Sequence, residues 1–124
     1  MLLDSNTIIY AAIPEEEQLR QFLSKQELSV SAVSYVEVLG YHKLTSENKQ
    51  HFENFFQTTQ MFPISDEIIQ KASALRQQKK MSLGDALIAA TALIHGLTLV
   101  TSNVKDFEWI EDLSVLDPLK NGKK

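Results

Sequence analysis

Gly84-Asp85-Ala86-Leu87-Ile88-Ala89-Ala90-Thr91-Ala92-Leu93-Ile94-His95-Gly96 runs directly into Leu97-Thr98-Leu99-Val100-Thr101, and this stretch decides the fold. From Asp85 to His95 the side chains are apolar nearly all round a helical wheel, so the helix is expected to be buried on more than one side. Ser82 or Leu83-Gly84 opens it, and Gly96 ends it. Leu97 to Thr101 then reads as a strand. The same alternation continues in both directions.

Upstream, Met1 to Leu3 is a strand too short and apolar to be an edge, closed by Asp4. The capping cluster Asp4-Ser5-Asn6-Thr7 leads into a helix over Thr7 to Ala12, stopped by Pro14, and a second helix covers Glu15 to Ser24. Leu28 to Val30 is a strand, Ala32 to Tyr41 a helix, and Glu47 to Thr58 another, with Phe52, Phe55 and Phe56 as its core stripe. Met61 to Ile64 reads as a strand, and Asp66 to Lys79 as a helix turning Ile68, Ile69, Ala72 and Leu75 inward. Downstream, Asp106 to Ile110 is a helical turn and Leu113 to Leu116 a last strand.

Short apolar strands alternating with helices predict an α/β/α sandwich of three layers around a short, mostly parallel sheet. A single domain over residues 1–119 is expected, with residues 120–124 as a loose tail. Such sheets place functional residues at the carboxyl ends of strands and at the helix starts that follow.

The 124 residues, 44% hydrophobic and 23% charged, suit one domain that needs no staple. The absence of cysteine removes disulfides, cysteine-based zinc sites and thiol catalysis, and agrees with a cytoplasmic setting. The N-terminus does not read as a signal peptide, and no apolar run approaches the ~20 residues of a membrane span. A net charge of −4 is the wrong sign for gripping nucleic acid by bulk charge, so any such work needs local basic patches or metal ions.

Asp4, Glu37, Asp85, Asn103 and Asp106 all fall on the predicted functional edge of the sheet. Converging carboxylates with open positions suit a hard cation such as Mg²⁺ or Mn²⁺. Each has a plainer reading, Asp4 as a helix cap and Asp85 and Asp106 as first-turn acids. Glu37 lies in sequence among Val33, Val36, Val38 and Leu39, where burial without a cation or donor is costly. The four glycines form no phosphate-cradling loop, so no nucleotide cofactor is expected. His42, His51 and His95 share no spacing with a nucleophile and form no zinc helix.

Leu3-Asp4-Ser5-Asn6, Ser34-Tyr35-Val36-Glu37, Gly84 to Ala92 and Leu99 to Phe107 occur in this order and together resemble the PIN-domain ribonucleases, most of all the bacterial VapC-type toxins. The resemblance spans Leu2 to about Leu116. It implies a PIN-like fold and a Mg²⁺- or Mn²⁺-dependent endoribonuclease in which Asp4, Glu37 and Asp85 match the three core acids. Many relatives carry an Asp where this chain has Asn103, a neutral oxygen ligand, and Asp106 three residues on stands in for the carboxylate. The implied metal set is Asp4, Glu37, Asp85 and Asn103, and the implied catalytic set Asp4, Glu37, Asp85 and Asp106. Asn6 and Thr101 are implied to orient ligands or bind phosphate.

Arg76, Lys79, Lys80, Lys43 and Lys105 are candidates for phosphate contacts, or else an ordinary solvated helix end and its surroundings. The resemblance further implies an RNA substrate, with transfer RNA among the candidates, a cognate antitoxin whose basic side chain enters the acidic groove, and a homodimer. Two other classes compete. Asn103 can mark the decay of a PIN-like fold into a binding module. Asp4-Ser5-Asn6-Thr7 also resembles the start of haloacid-dehalogenase-type phosphatases, although Asn6 stands where that mechanism needs an acid.

Overall fold

A computed structural model of the chain describes residues 1–121. Five strands, β1 (Leu2–Leu3), β2 (Ser29–Ser31), β3 (Gln60–Phe62), β4 (Leu99–Val100) and β5 (Val115–Leu116), form one sheet in the order β3-β2-β1-β4-β5. Every pairing is parallel. The expected mostly parallel sheet is parallel throughout, and β1 is central, as its apolar brevity predicts.

Successive strand residues point to opposite faces, and two cores follow from that alternation. Leu2 and Leu99 face one core, built with α5 (Asp66–Gln78), α6 (Leu83–His95) and Phe107 of α7 (Val104–Phe107). Leu3, Val30 and Val100 face the other, built with α1 (Ser5–Ala11), α2 (Glu17–Ser24), Val38 of α3 (Ala32–Leu39) and α4 (Ser46–Thr58). These are the three expected layers.

Caps set the helix ends. Asp4, Ser31, Thr45, Ser65 and Ser82 each accept a hydrogen bond from a backbone N–H in the first turn of the helix they open. Gly96 closes α6 at φ 64°, a left-handed conformation that costs glycine nothing.

Several local expectations are corrected. In α5, Ile68 is fully buried with Ala72 and Leu75, four and seven residues on, whereas Ile69 lies about 100° round the helix and is 48% exposed. The predicted turn over Asp106 to Ile110 is instead α7, two residues earlier, with Asn103 as its N-cap. Pro118 opens a further short helix, α8 (Pro118–Asn121), which takes in Lys120 and Asn121 of the expected loose tail; residues 122–124 lie outside the described residues. Among the described residues no helix is long and apolar enough to cross a membrane.

Sequential strands step outward from β1 to β3, and the chain then crosses over to place β4 on the other side of β1. The switch point of this sheet is therefore between β1 and β4. In open parallel sheets the carboxyl ends of the strands that flank such a point are where ligands bind.

Candidate metal centre

Asp4 stands at that switch point, one residue after β1, and is only 4% exposed. Both its carboxylate oxygens are engaged. Oδ1 accepts from the Thr7 backbone N–H at 2.8 Å, and Oδ2 accepts from the Thr101 hydroxyl at 2.5 Å. Thr101 immediately follows β4 and is fully buried, so this bond ties the ends of the two switch-point strands together. The Thr101 oxygen also accepts from the backbone N–H of Asn103 at 3.0 Å. Thr101 thus orients Asp4 and shapes the turn into α7, and it is too deeply buried to meet a substrate phosphate. Lone pairs remain on both Asp4 oxygens for a cation, because a carboxylate has about four acceptor sites.

Glu37 arrives from α3 and is exposed. Its valine neighbours in sequence do not bury it: Ser34 and Val38, one turn apart, form the inner face of α3, while Val36 is 69% exposed. Its carboxylate is held from outside the helix. The Ser5 hydroxyl bridges Glu37 Oε1 at 2.6 Å and the buried Ser34 hydroxyl at 3.0 Å. Its other oxygen packs against Gly84, where an added Cβ would lie 2.5 Å from Oε2. Glycine at position 84 is therefore what lets Glu37 reach the start of α6.

Asp85 occupies the first turn of α6, half-buried, with its backbone N–H donating to the Ser82 hydroxyl at 3.1 Å. Burial raises its carboxyl above the ordinary value, opposed in part by the Ser82 hydroxyl. The negative charges of Asp106, Glu37 and Asp4 raise it further. Asp85 therefore feels the other three acids, so residues from four distant segments share one electrostatic environment. Asp106 is exposed in α7 and Asn103 is exposed at its cap. Asn6 is exposed in the first turn of α1.

Among the described residues, no three acidic or histidine side chains converge closely enough to chelate an ion as they stand. The donor chemistry nevertheless fits a hard divalent cation. The oxygens are carboxylates, Asp85 is placed at a charge cost that a cation would relieve, and outer hydroxyls already orient Asp4 and Glu37.

Arg76, Lys79, Lys80 and Lys105 line a cavity together with Asp85 and Asp106; Lys43 lies between α3 and α4 and is not part of that lining. His42, His51 and His95 are all exposed, and His95 stacks on Phe62 with ring centroids 3.9 Å apart. Three supporting residues escape a reading by sequence alone. Ser34 shares a helical face with Glu37, and its spacing of three was the available signal. Ser5 and Gly84 are far from Glu37 in sequence and carry no such signal.

The PIN domain family matches residues 1–112. The chain belongs to the PIN domain family. Ribonuclease VapC1 of Rickettsia felis is 30% identical over 128 residues, covering 93% of this chain and 94% of that protein. Among solved structures, a toxin–antitoxin complex from Klebsiella pneumoniae contains a chain 32% identical, with a TM-score of 0.78 and coverage of 94% of this chain and 96% of that one. DNA-bound VapBC from Salmonella typhimurium shares the fold with a TM-score of 0.83 at 22% identity, over 94% and 96% of the two chains. Membership in the PIN domain family sets aside the aspartyl-phosphate reading of Asp4-Ser5-Asn6-Thr7.

Proposed function

We propose that this chain is a divalent-metal-dependent endoribonuclease acting as the toxin of a toxin–antitoxin pair. The observation that carries the reading is that Asp4, Glu37 and Asp106 lie near enough to Asp85 for their charges to raise its carboxyl, in a PIN-domain chain similar to a VapC ribonuclease. Asp4, Glu37 and Asp85 would hold Mg²⁺ or Mn²⁺, with Asn103 as a neutral fourth ligand. Bound there, such an ion supplies water activation and offsets charge on the phosphoryl oxygens and the leaving oxygen.

The chain's own residues provide the geometry. Asp4, locked by Thr7 and Thr101, fixes one edge of the site to the sheet. Glu37, steadied by Ser5 and exposed, would orient an attacking water. Asp106 adds negative charge near Asp85 and completes the acidic set. Arg76 and Lys80 meet the phosphates of the incoming strand. The same acidic residues attract a basic side chain, the chemistry by which a cognate antitoxin would block them; toxin–antitoxin complexes are what the structural relatives form.

The test is incubation of the partner-free chain with total bacterial RNA in Mg²⁺ or Mn²⁺, beside an EDTA control and the Asp85→Asn variant. Discrete fragments that vanish with EDTA and with Asp85→Asn are expected. RNA left equally intact by a folded wild-type chain and by the variant would overturn the nuclease reading and leave a PIN-fold binding module in its place.

A further inference from the structure

A cavity of about 570 Å³ opens beside Asp85 and Asp106. Its lining carries the cations Arg76, Lys79, Lys80 and Lys105 against those two carboxylates, an excess of positive charge in a chain whose formal charge is −4. The same wall presents Trp109, the only tryptophan of the chain. Trp109 is half-buried, packed on the core beneath α5 and α6, and its indole N–H donates to the Asp106 carbonyl at 2.9 Å. That bond fixes the ring and uses its one donor, so what it offers a ligand is π surface. Lys79 Nζ sits over this ring, 5.6 Å from its centroid. Arg76 donates from Nε to the Met81 carbonyl at 3.2 Å, which aims its guanidinium while sparing the two terminal nitrogens.

A site for a small anion has no use for a fixed aromatic plane, and a site for an apolar ligand has none for four cations. One flat ring flanked by separate positive charges suits a nucleotide, whose base stacks while its phosphates pair with cations. We propose that this cavity is a subsite for a nucleotide of the RNA strand next to the cleaved bond. The base lies on Trp109 in place of the Lys79 ammonium, and Arg76, Lys80 and the displaced Lys79 hold the flanking phosphates. The inference rests on the ribonuclease reading of Asp4, Glu37 and Asp85. It adds that substrate choice at this nucleotide follows stacking strength, purines over pyrimidines, because stacking reads no hydrogen-bond pattern.

Trp109 is its own reporter. Oligoadenylate of about ten nucleotides, enough to fill a single-strand site, is titrated into the whole chain in EDTA at low salt. Saturable quenching of tryptophan emission that fades as salt rises is expected. An end-labelled abasic ribose-phosphate oligomer of equal length should bind about tenfold more weakly by anisotropy, without quenching. Equal quenching by the abasic oligomer or by oligoglutamate, or no quenching at all, overturns the subsite.

Cleavage kinetics supply the second arm. Trp109→Leu, which keeps apolar packing, should raise KM for RNA by about tenfold with kcat retained, and Trp109→Phe should restore most of it. Unchanged KM in Trp109→Leu while wild type cleaves sinks the subsite and leaves the nuclease standing. Quenching by oligoadenylate in a chain that cleaves nothing does the reverse.

Discussion

Asp4 and Glu37 are two carboxylates at one site, and the fold treats them in opposite ways. Asp4 is buried at the end of a central strand, with both oxygens bonded and its donor Thr101 bonded in turn. Glu37 is exposed on a helix and is placed by one serine hydroxyl and by the missing Cβ of Gly84. The difference separates an anchored carboxylate from an adjustable one. A buried carboxylate is tolerated only where hydrogen bonds replace its water, so Asp4 belongs to the folding of the sheet as well as to the site. Glu37 is free of that double duty, and its substitution should be felt in function alone.

The sharpest break of this contrast is Asp4→Ala set against Glu37→Ala. Asp4→Ala removes the cap of α1 and strands the buried Thr101 hydroxyl, and should cost about 2–3 kcal/mol of stability in urea unfolding. Glu37→Ala should stay within about 0.5 kcal/mol of wild type. Both should abolish RNA cleavage. Equal destabilisation by the two would refute the division of roles.

Thr101→Val tests the anchor without touching a ligand. The shape is kept, but Asp4 Oδ2 loses its donor and the Asn103 N–H its acceptor. A loss of about 1–2 kcal/mol is expected, together with Mn²⁺ affinity weakened about 10- to 100-fold, as for other partners that orient a metal ligand. Calorimetric titration with Mn²⁺ reads the second quantity directly, and unchanged affinity would show that Asp4 needs no such support.

Gly84→Ala tests the adjustable side, and its two effects should run against each other. Alanine within α6 favours the helix by up to about 1 kcal/mol, yet its Cβ would stand 2.5 Å from Glu37 Oε2 and push the carboxylate aside. Stability near or above wild type with Mn²⁺ affinity reduced about tenfold is the expected pair. In a Glu37→Ala background the clash disappears, so Gly84→Ala should there stabilise more than it does in wild type.

The same contrast divides what was legible in the sequence. Short-range features were readable: the Ser82 and Gly96 boundaries of α6, the capping role of Asp4, and the central placement of Met1-Leu2-Leu3. They depend on neighbours within one turn of helix or on the run of apolar residues itself. The strand order was not readable, because strands of two or three residues carry too little pattern to specify partners. The exposure of Glu37 is hidden from the sequence for a related reason. Its valine neighbours suggest burial, but which face of α3 is covered depends on α1, α4 and α6, which pack on it from distant parts of the chain. The acids themselves could be found because chemistry and position on the sheet edge select them, and Thr101 through the family resemblance; the Ser5 and Ser34 hydroxyls that hold Glu37 could not.

Asp85 lies between the two extremes and gives the smallest, most diagnostic effect. Its carboxyl is raised from 3.8 by burial first, and then by the charges of Asp106, Glu37 and Asp4. A raised carboxylic acid favours the protonated form in the folded chain, so ionisation costs stability. That cost is absent below the ordinary value, grows as pH rises through the higher folded value, and is complete above it. Asp85→Asn removes the charge while keeping the shape. In metal-free buffer at pH 7 the variant should therefore melt at or slightly above wild type, and the gap should close as pH falls toward 4. Saturating Mn²⁺ should reverse the order, because only wild type offers the ion all its carboxylates. A variant less stable than wild type at pH 7 without metal would mean that the Ser82 hydroxyl and the start of α6 favour the ionised carboxylate by more than burial and the neighbouring acids oppose it.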